Sequence, residues 1–154
     1  MKKLIYLLFL LPLALLGSCS DDDDLPNVDL TISFDNVAAD GSVIYVVKGE
    51  PFEVTSVSVK GIGSKALVTS VTYYWDYLCL GTLPVAPFCY KFGTDYTHTG
   101  NHLLGMTIEV AQEGKSLGFT GALYHVKVVD SVDDLPEGKT LGPLTIDYSG
   151  KTED

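Results

Sequence analysis

An alternation of apolar and polar residues with a period of two most limits how this chain can fold. Beyond residue 26 no stretch keeps a sustained apolar period of 3.6, the mark of an amphipathic helix. Because successive side chains of a strand point to opposite faces, the alternation predicts strands with one buried face. Turn residues, among which Gly81 is counted, separate eight such runs: Val28–Phe34, Ile44–Val47, Phe52–Val59, Val71–Tyr77, Phe88–Phe92, Leu103–Val110, Leu117–Val129 and Leu144–Tyr148. Residues 27–154 are therefore predicted to form an all-β domain, an antiparallel sandwich of about seven to eight strands.

The amino terminus has the pattern of an export signal. Lys2 and Lys3 precede an apolar run of 13 residues, Leu4–Leu16, which at about 1.5 Å per residue is too short to span a hydrocarbon core of about 30 Å. The run ends in Leu16-Gly17-Ser18-Cys19, which resembles the lipobox of bacterial lipoproteins. This resemblance implies a signal peptide over residues 1–18 and a diacylated Cys19; the alternative is an ordinary secretory signal with a chance cysteine.

Four consecutive aspartates, Asp21 to Asp24, follow the lipobox. Like charges repel one another, so residues 19–26 are predicted to be an extended acidic tether. A calcium site is the alternative, although adjacent aspartates do not converge as the spaced ligands of a calcium loop do. The segment also resembles the acidic export signal of surface lipoproteins of Gram-negative gut commensals. That resemblance implies an outer-membrane, lipid-anchored protein at the cell surface. The alternative that the anchored protein faces the periplasm stays open.

The charge balance narrows the range of partners. All basic residues are lysines, and the formal net charge is −10. Removal of residues 1–18 takes away two of the lysines and brings the balance to −12. Nucleic acid is excluded as a partner because its recognition relies on arginine and a basic surface. An acidic surface repels anionic membranes, so the lipid must hold the protein at the bilayer.

Four short segments resemble bacterial immunoglobulin-like modules, in their order and spacing between Glu50 and Val129. They are Val71-Thr72-Tyr73-Tyr74-Trp75-Asp76, Leu80-Gly81-Thr82, Ala86-Pro87-Phe88 and Gly100-Asn101-His102-Leu103. The resemblance implies an immunoglobulin-like fold for the predicted sandwich. Tyr77 departs from the pattern, because the family prefers glycine there, so the tight turn must be built differently.

The motifs of catalysis and metal binding are missing from the sequence. It contains no phosphate-binding loop and no His-Glu-x-x-His motif. Its Gly-x-Ser-x-Gly match, Gly114 to Gly118, overlaps the turn of the predicted closing hairpin and not the strand-to-helix turn that a nucleophile elbow requires. The pair His98 and His102 has a metal-site spacing, but Gly100 between them and a strand context make the geometry unfavourable. The chain is therefore predicted to be no enzyme and to bind no metal or cofactor; paired carboxylates of a glycoside hydrolase remain the alternative.

Cys79 and Cys89 are the cysteines that remain once Cys19 carries lipid. An exported domain meets an oxidising compartment, so a disulfide between them is permitted. They flank a segment rich in glycine and proline, where neighbouring strands could bring them together. Two packed free thiols are an equally weighted alternative, because the sequence does not show whether the two cysteine side chains point toward each other.

Exposed aromatic residues are the candidates for ligand contact, because sugar rings stack on aromatic faces. Tyr74 points away from the core side of its strand, while Tyr96 and His98 lie in the loop Gly93–Asn101. Trp75 is predicted to pack in the core. The predicted function is a non-catalytic cell-surface module for binding or adhesion, with a glycan or a protein as partner. The alternative is a structural accessory subunit of a larger outer-membrane assembly, with no ligand of its own.

Overall fold

The computed structural model describes residues 25–149, and every long element in that range is a β-strand. This confirms the all-β prediction. A short 3₁₀ helix, Val132–Asp134, precedes the last strand. The strands are β1 Val28–Asp40, β2 Val43–Val47, β3 Phe52–Gly61, β4 Ala66–Trp75, β5 Leu78–Leu83, β6 Tyr90–Phe92, β7 Gly100–Gln112, β8 Gly118–Val129 and β9 Gly142–Tyr148.

The strands follow one path, β5-β4-β7-β8-β2-β1-β3-β6, with β9 paired to β1. β1 joins the two halves of this path. Its first part pairs with β3 and β9, and its last residues, Ala38 to Asp40, pair with β2. The strand bends between these parts at Asn36, whose φ is +59°. The path therefore curves around the core as a half-barrel.

Two details of the predicted architecture need correction. β2 runs parallel to β8, from Val43 opposite His125 to Val47 opposite Val129, so the sheet is mixed and not wholly antiparallel. It also has nine strands among the described residues, not seven to eight. Alternation reports which face a side chain takes and carries no information on strand direction. The parallel pair arises because β1 bends and β2 turns back along it.

The strand that the sequence pattern missed is β5. Gly81 belongs to this strand, beside a bulge, and the turn lies earlier, at Asp76 and Tyr77. Both turn residues have positive φ, +48° and +69°. Trp75 and Leu78 pair directly across them, which is the arrangement of a two-residue hairpin turn with two left-handed residues. Such turns usually contain Asn-Gly or Asp-Gly, so Asp-Tyr gave no turn signal.

The inward side chains of all the long strands form one apolar core. Tyr73 is its largest fully buried side chain, and its hydroxyl donates a hydrogen bond to the carbonyl of Phe88 at 2.5 Å. The rings of Phe52 and Phe92 stack at 4.7 Å. Other fully buried members are Ile32, Phe34, Val46, Val54, Val71, Leu104, Ile108, Val110, Val126 and Val128.

The strand registers define two ends of the domain, called here the base and the tip. At the base, the Asn27 amide donates to Gln112 Oε1 at 2.7 Å, and the Ile62 amide donates to the Asn27 carbonyl at 2.9 Å. β9 also ends towards the base, since Tyr148 pairs with Leu30 near the start of β1. The β4–β5 turn and the segment before β7 lie at the opposite ends of their strands, at the tip.

Candidate functional site

The outer face of β4, β7 and β8 carries a row of side chains that starts at Tyr74. Tyr73 points into the core, so Tyr74 points outward. The register places Gly105 beside Tyr74 and Leu123 beside Gly105. A Cβ at Gly105 would lie 3.5 Å from the Tyr74 Cβ and 3.7 Å from Leu123 Cδ1. The glycine thus keeps the floor of this row low between two large side chains.

This row forms a shallow, open depression of about 480 Å³. We call it the outer-face depression and define it by Tyr74, Tyr77, Leu103, Gly105, Gly121 and Leu123. Gly121 lies one row further along, opposite Thr107. None of the described residues that line the depression is charged. Its surface therefore suits a neutral ligand with apolar faces.

Tyr77 projects at the rim of the depression and is 81% exposed. Its φ of +69° is a left-handed conformation, which costs an L-residue other than glycine about 1–2 kcal/mol. Nothing in the core compensates for this cost, because the ring is in solvent. Strain of this kind at an exposed aromatic residue points to a functional site.

A hydrogen-bonded clamp on Asp76 holds the turn. Asp76 Oδ1 accepts from the Leu103 amide at 2.9 Å, and Asp76 Oδ2 lies 2.6 Å from His102 Nδ1. The Asp76 amide donates to the Leu103 carbonyl at 2.9 Å. Partial burial raises the pKa of the Asp76 carboxyl. The hydrogen bonds from His102 and Leu103 and the interaction with the His102 charge lower it by more than burial raises it, so the pKa is below its ordinary 3.8.

The His102 ring is engaged on every side. Its Nε2 lies 2.7 Å from the His98 carbonyl oxygen, and the ring stacks on Trp75 at 5.1 Å. Both ring nitrogens face oxygen acceptors. These two contacts and the stacking on Trp75 fix the orientation of the ring.

The structure separates the three predicted ligand residues. Tyr74 lines the outer-face depression, while neither Tyr96 nor His98 is among the residues that do. Tyr96 is 99% exposed and stands in the loop before β7, at the tip. His98 is exposed, and its backbone carbonyl receives the His102 contact. Trp75, predicted to lie in the core, is half-buried and packs against it.

Cys79 and Cys89 are unbridged and exposed in the structure. The disulfide between them stays a prediction. Cys79 lies on β5, whose partner is β4, whereas Cys89 precedes β6, whose partner is β3. The two strands are opposite ends of the strand path. Cys89 Sγ donates to the Thr55 carbonyl at 2.9 Å. Cys19 and the aspartate block lie outside the described residues.

Residues that the sequence reasoning missed complete the site. The sequence pattern marked Tyr77 only as a departure from the immunoglobulin-like pattern. It assigned Leu103 and Leu123 to strands and gave them no role in binding. Gly105 and Gly121 carried a usable signal, because an isolated glycine inside a strand often marks a close approach of another group. The depression could therefore have been suspected from the two glycines on neighbouring strands.

The described residues also bear on metal binding and on membrane crossing. Within residues 25–149, no three side chains of the types His, Cys, Asp and Glu are grouped to hold a metal ion. The described part of the chain also has no helix with the length and apolar character needed to cross a bilayer.

Fold and site together define a class: an all-β domain with an open, uncharged, aromatic-rimmed surface on one sheet face. No protein-family model matches the chain, and no curated protein matches it. The chain is similar to a solved structure of the fibronectin(III)-like modules of CbhA from Clostridium thermocellum, with 14% identity and a TM-score of 0.42. The match covers 69% of this chain and 48% of that one, so the chain spans about half its length.

Proposed function

We propose that this chain is a non-catalytic binding module of the immunoglobulin-like type, held by lipid at the outer surface of the cell. Its partner, a glycan or a protein, is bound over the outer-face depression. The observation that carries the proposal is the pair Tyr74 and Tyr77. One ring lies over a glycine floor, and the other is held in solvent by a strained turn.

The chemistry of the depression supports a neutral partner. Aromatic rings bind the C–H faces of sugars and the apolar side chains of proteins, and Tyr hydroxyls add hydrogen bonds at the rim. The lining residues are uncharged in a chain whose net charge is −10. A cationic partner would be drawn to the acidic remainder of the surface instead.

The position of Tyr77 supports display away from an anchor. The chain enters the described domain at the base, where Asn27 contacts Gln112 and Ile62. Tyr77 lies in the β4–β5 turn, at the tip. An anchor at Cys19 would therefore hold the base towards the membrane and present the tip outward.

A structural role for the Asp76–His102 pair supports a non-catalytic function. An acid and a histidine 2.6 Å apart are a common catalytic arrangement. Here, however, the second carboxylate oxygen accepts from a backbone amide and the second ring nitrogen faces a carbonyl. The pair holds the turn and has no free nitrogen for a substrate.

One observation favours the alternative, a structural accessory subunit. Phe119 is 71% exposed and Leu123 is 61% exposed, both on β8, and Leu67 is exposed on the same face of β4. Several exposed apolar side chains on one sheet face are typical of a surface that docks on another protein. In that case the depression would be part of a permanent subunit interface.

Binding to a glycan array and to immobilised cell-envelope proteins tests the proposal. Tyr77→Ala and Tyr74→Ala should each weaken binding about ten-fold or more, the loss of one good aromatic contact. Tyr96→Ala is the matched control, an exposed tyrosine at the tip outside the depression. Loss of binding in Tyr96→Ala alone would move the site to the loop. Turnover of any glycan by the parent chain would refute the non-catalytic proposal.

A further inference from the structure

The strand pairing leaves three strands with a free edge. Among the described residues, β5 pairs with β4 alone, β6 with β3 alone, and β9 with β1 alone. Each therefore has a free edge of backbone N–H and C=O groups, a template for pairing with another chain. Proteins usually block such edges with charges, prolines, very short strands or bulges that twist the edge away.

β5 lacks the usual blocking residues, whereas the other two edges have them. β6 has three residues with Lys91 at its centre. β9 contains Pro143 and Asp147. β5 reads Leu-Cys-Leu-Gly-Thr-Leu and contains neither charge nor proline. A bulge at Leu80 twists it, but the strand continues through Leu83 on both sides of that bulge.

The apolar side chains of β5 are also incompletely covered. Leu78 pairs with Trp75 and yet is 68% exposed, and Leu80 and Leu83 are half-buried. The reason is the shortness of β6, which faces β5 across the open side of the half-barrel and covers only part of it. A cavity of about 250 Å³ remains between the two edges. We call it the seam cavity; Trp75, Leu78, Leu80, Tyr90 and Phe92 line it, with Lys91 beside them.

We propose that β5 accepts an extended, uncharged segment of a partner protein as an additional strand. The segment pairs with the free edge of β5 through backbone hydrogen bonds, and one of its apolar side chains occupies the seam cavity. This mode of recognition takes affinity from the main chain and specificity from pockets for alternate side chains. It goes beyond the outer-face depression, because Leu78 and the seam cavity do not belong to that depression.

Charge argues for a partner and against a second copy of this chain. Two copies paired through β5 would bring together two molecules with a formal net charge of −10 each, and like charges oppose such an encounter. The charged side chain at the seam cavity is Lys91, which opposes a basic segment. An uncharged segment is repelled neither by the net negative charge of the chain nor by Lys91. It also matches β5, which contains no charged residue.

The test titrates the ¹⁵N-labelled chain with a blocked seven-residue peptide in which threonine and valine alternate. We expect the amide signals of residues 78–83 to shift and their hydrogen exchange to slow about ten-fold or more. The same peptide N-methylated at alternate residues lacks donors along one edge and should bind at least ten-fold more weakly. This control requires no change in the protein.

A matched pair of variants locates the contact. Leu78→Lys places a charge at the seam cavity and should weaken peptide binding at least ten-fold. Leu123→Lys changes a similarly exposed leucine of the outer-face depression and should leave peptide binding unchanged while it impairs the partner binding proposed above. The two proposals therefore fail separately.

Three results would overturn the strand-addition proposal. The first is an absence of shifts in residues 78–83 at millimolar peptide, or shifts confined to β6 or β9. The second is equal affinity for the N-methylated peptide, which would make the contact a side-chain contact only. The third is concentration-dependent dimerisation in sedimentation that Leu78→Lys abolishes, which would make the occupant of β5 a second copy.

Discussion

Two buried tyrosines differ in what their hydroxyl groups do. Tyr73 donates to the Phe88 carbonyl, and burial, followed by the nearby Cys89 thiol, raises the pKa of its phenol. The hydroxyl of Tyr124 makes no hydrogen bond of good geometry among the described residues, although burial and an interaction with the hydroxyl of the exposed Tyr148 raise the pKa of its phenol. The two side chains are buried to a similar degree. They therefore form a matched pair for measuring what one buried hydrogen bond contributes.

Tyr73→Phe should lower the free energy of unfolding by about 1–3 kcal/mol, because the Phe88 carbonyl loses its buried donor. Tyr124→Phe removes a hydroxyl whose neighbour, the hydroxyl of the exposed Tyr148, can bond to water instead, and should change stability by less than about 0.5 kcal/mol or increase it. Urea denaturation at equilibrium measures both. Equal decreases of the free energy of unfolding in the two variants would show that the hydrogen bond of Tyr73 adds nothing to stability.

The strained residue Tyr77 predicts opposite effects on stability and on binding. Glycine adopts positive φ without steric cost, so Tyr77→Gly should raise the free energy of unfolding by roughly 1 kcal/mol. The same change removes the exposed ring and should weaken partner binding. Tyr77→Asn serves as the control, since asparagine tolerates the left-handed region and also lacks the ring. A less stable Tyr77→Gly variant would mean that the ring makes contacts that stabilise the turn.

At the scale of single elements, the β4–β5 hairpin is the clearest pH-sensitive part of the fold. The lowered pKa of Asp76 means that this carboxyl group binds a proton more weakly in the folded chain than in the unfolded chain. The stabilisation is therefore complete above the ordinary pKa of 3.8 and is lost as the pH falls through the lower, folded value.

Asp76→Asn should be less stable than the parent near neutral pH, by about 1 kcal/mol or less because the side chain is partly exposed. Below pH 3.8 the difference should shrink, since the parent then loses its carboxylate too. The midpoint of urea denaturation, followed from acid to neutral pH, gives both curves. A gap between them that does not change with pH would show that the clamp acts through shape alone.

The sequence predicted most strands but not how they are joined. Alternation located β1, β3, β7 and β8 well, because their buried faces repeat with period two over many residues. It missed β5, where a bulge and Gly81 interrupt the pattern. The turn at Asp76 and Tyr77 was hidden for a related reason. Its geometry depends on hydrogen bonds that Asp76 accepts from Leu103 and His102, which are 26 residues or more away from Asp76.

The candidate site was predictable in one residue and hidden in the others. Tyr74 followed from the outward side of a single strand. Its neighbours Gly105 and Leu123 come from two other strands, so their proximity depends on register. Register is set by the whole set of pairings and is not written in any one segment.

For the molecule as a whole, the anchor remains a prediction. Cys19→Ala should move the protein from the membrane fraction to soluble or unprocessed material, because the thioether to lipid cannot form. Cys79→Ala is the matched control and should fractionate like the parent. Immunoblots of the separated fractions decide between them. Unchanged fractionation of Cys19→Ala would refute the lipoprotein assignment.

The separation of base and tip has a mechanical meaning. A partner held at the tip and an anchor beyond the base would load the domain along its strands. β1 starts at the base and is flanked there by both β3 and β9. Hydrogen bonds between antiparallel strands lie across the strand direction, so such a pull shears two ladders at once instead of opening them bond by bond. Drag on a captured partner would thus meet the domain in its most resistant direction.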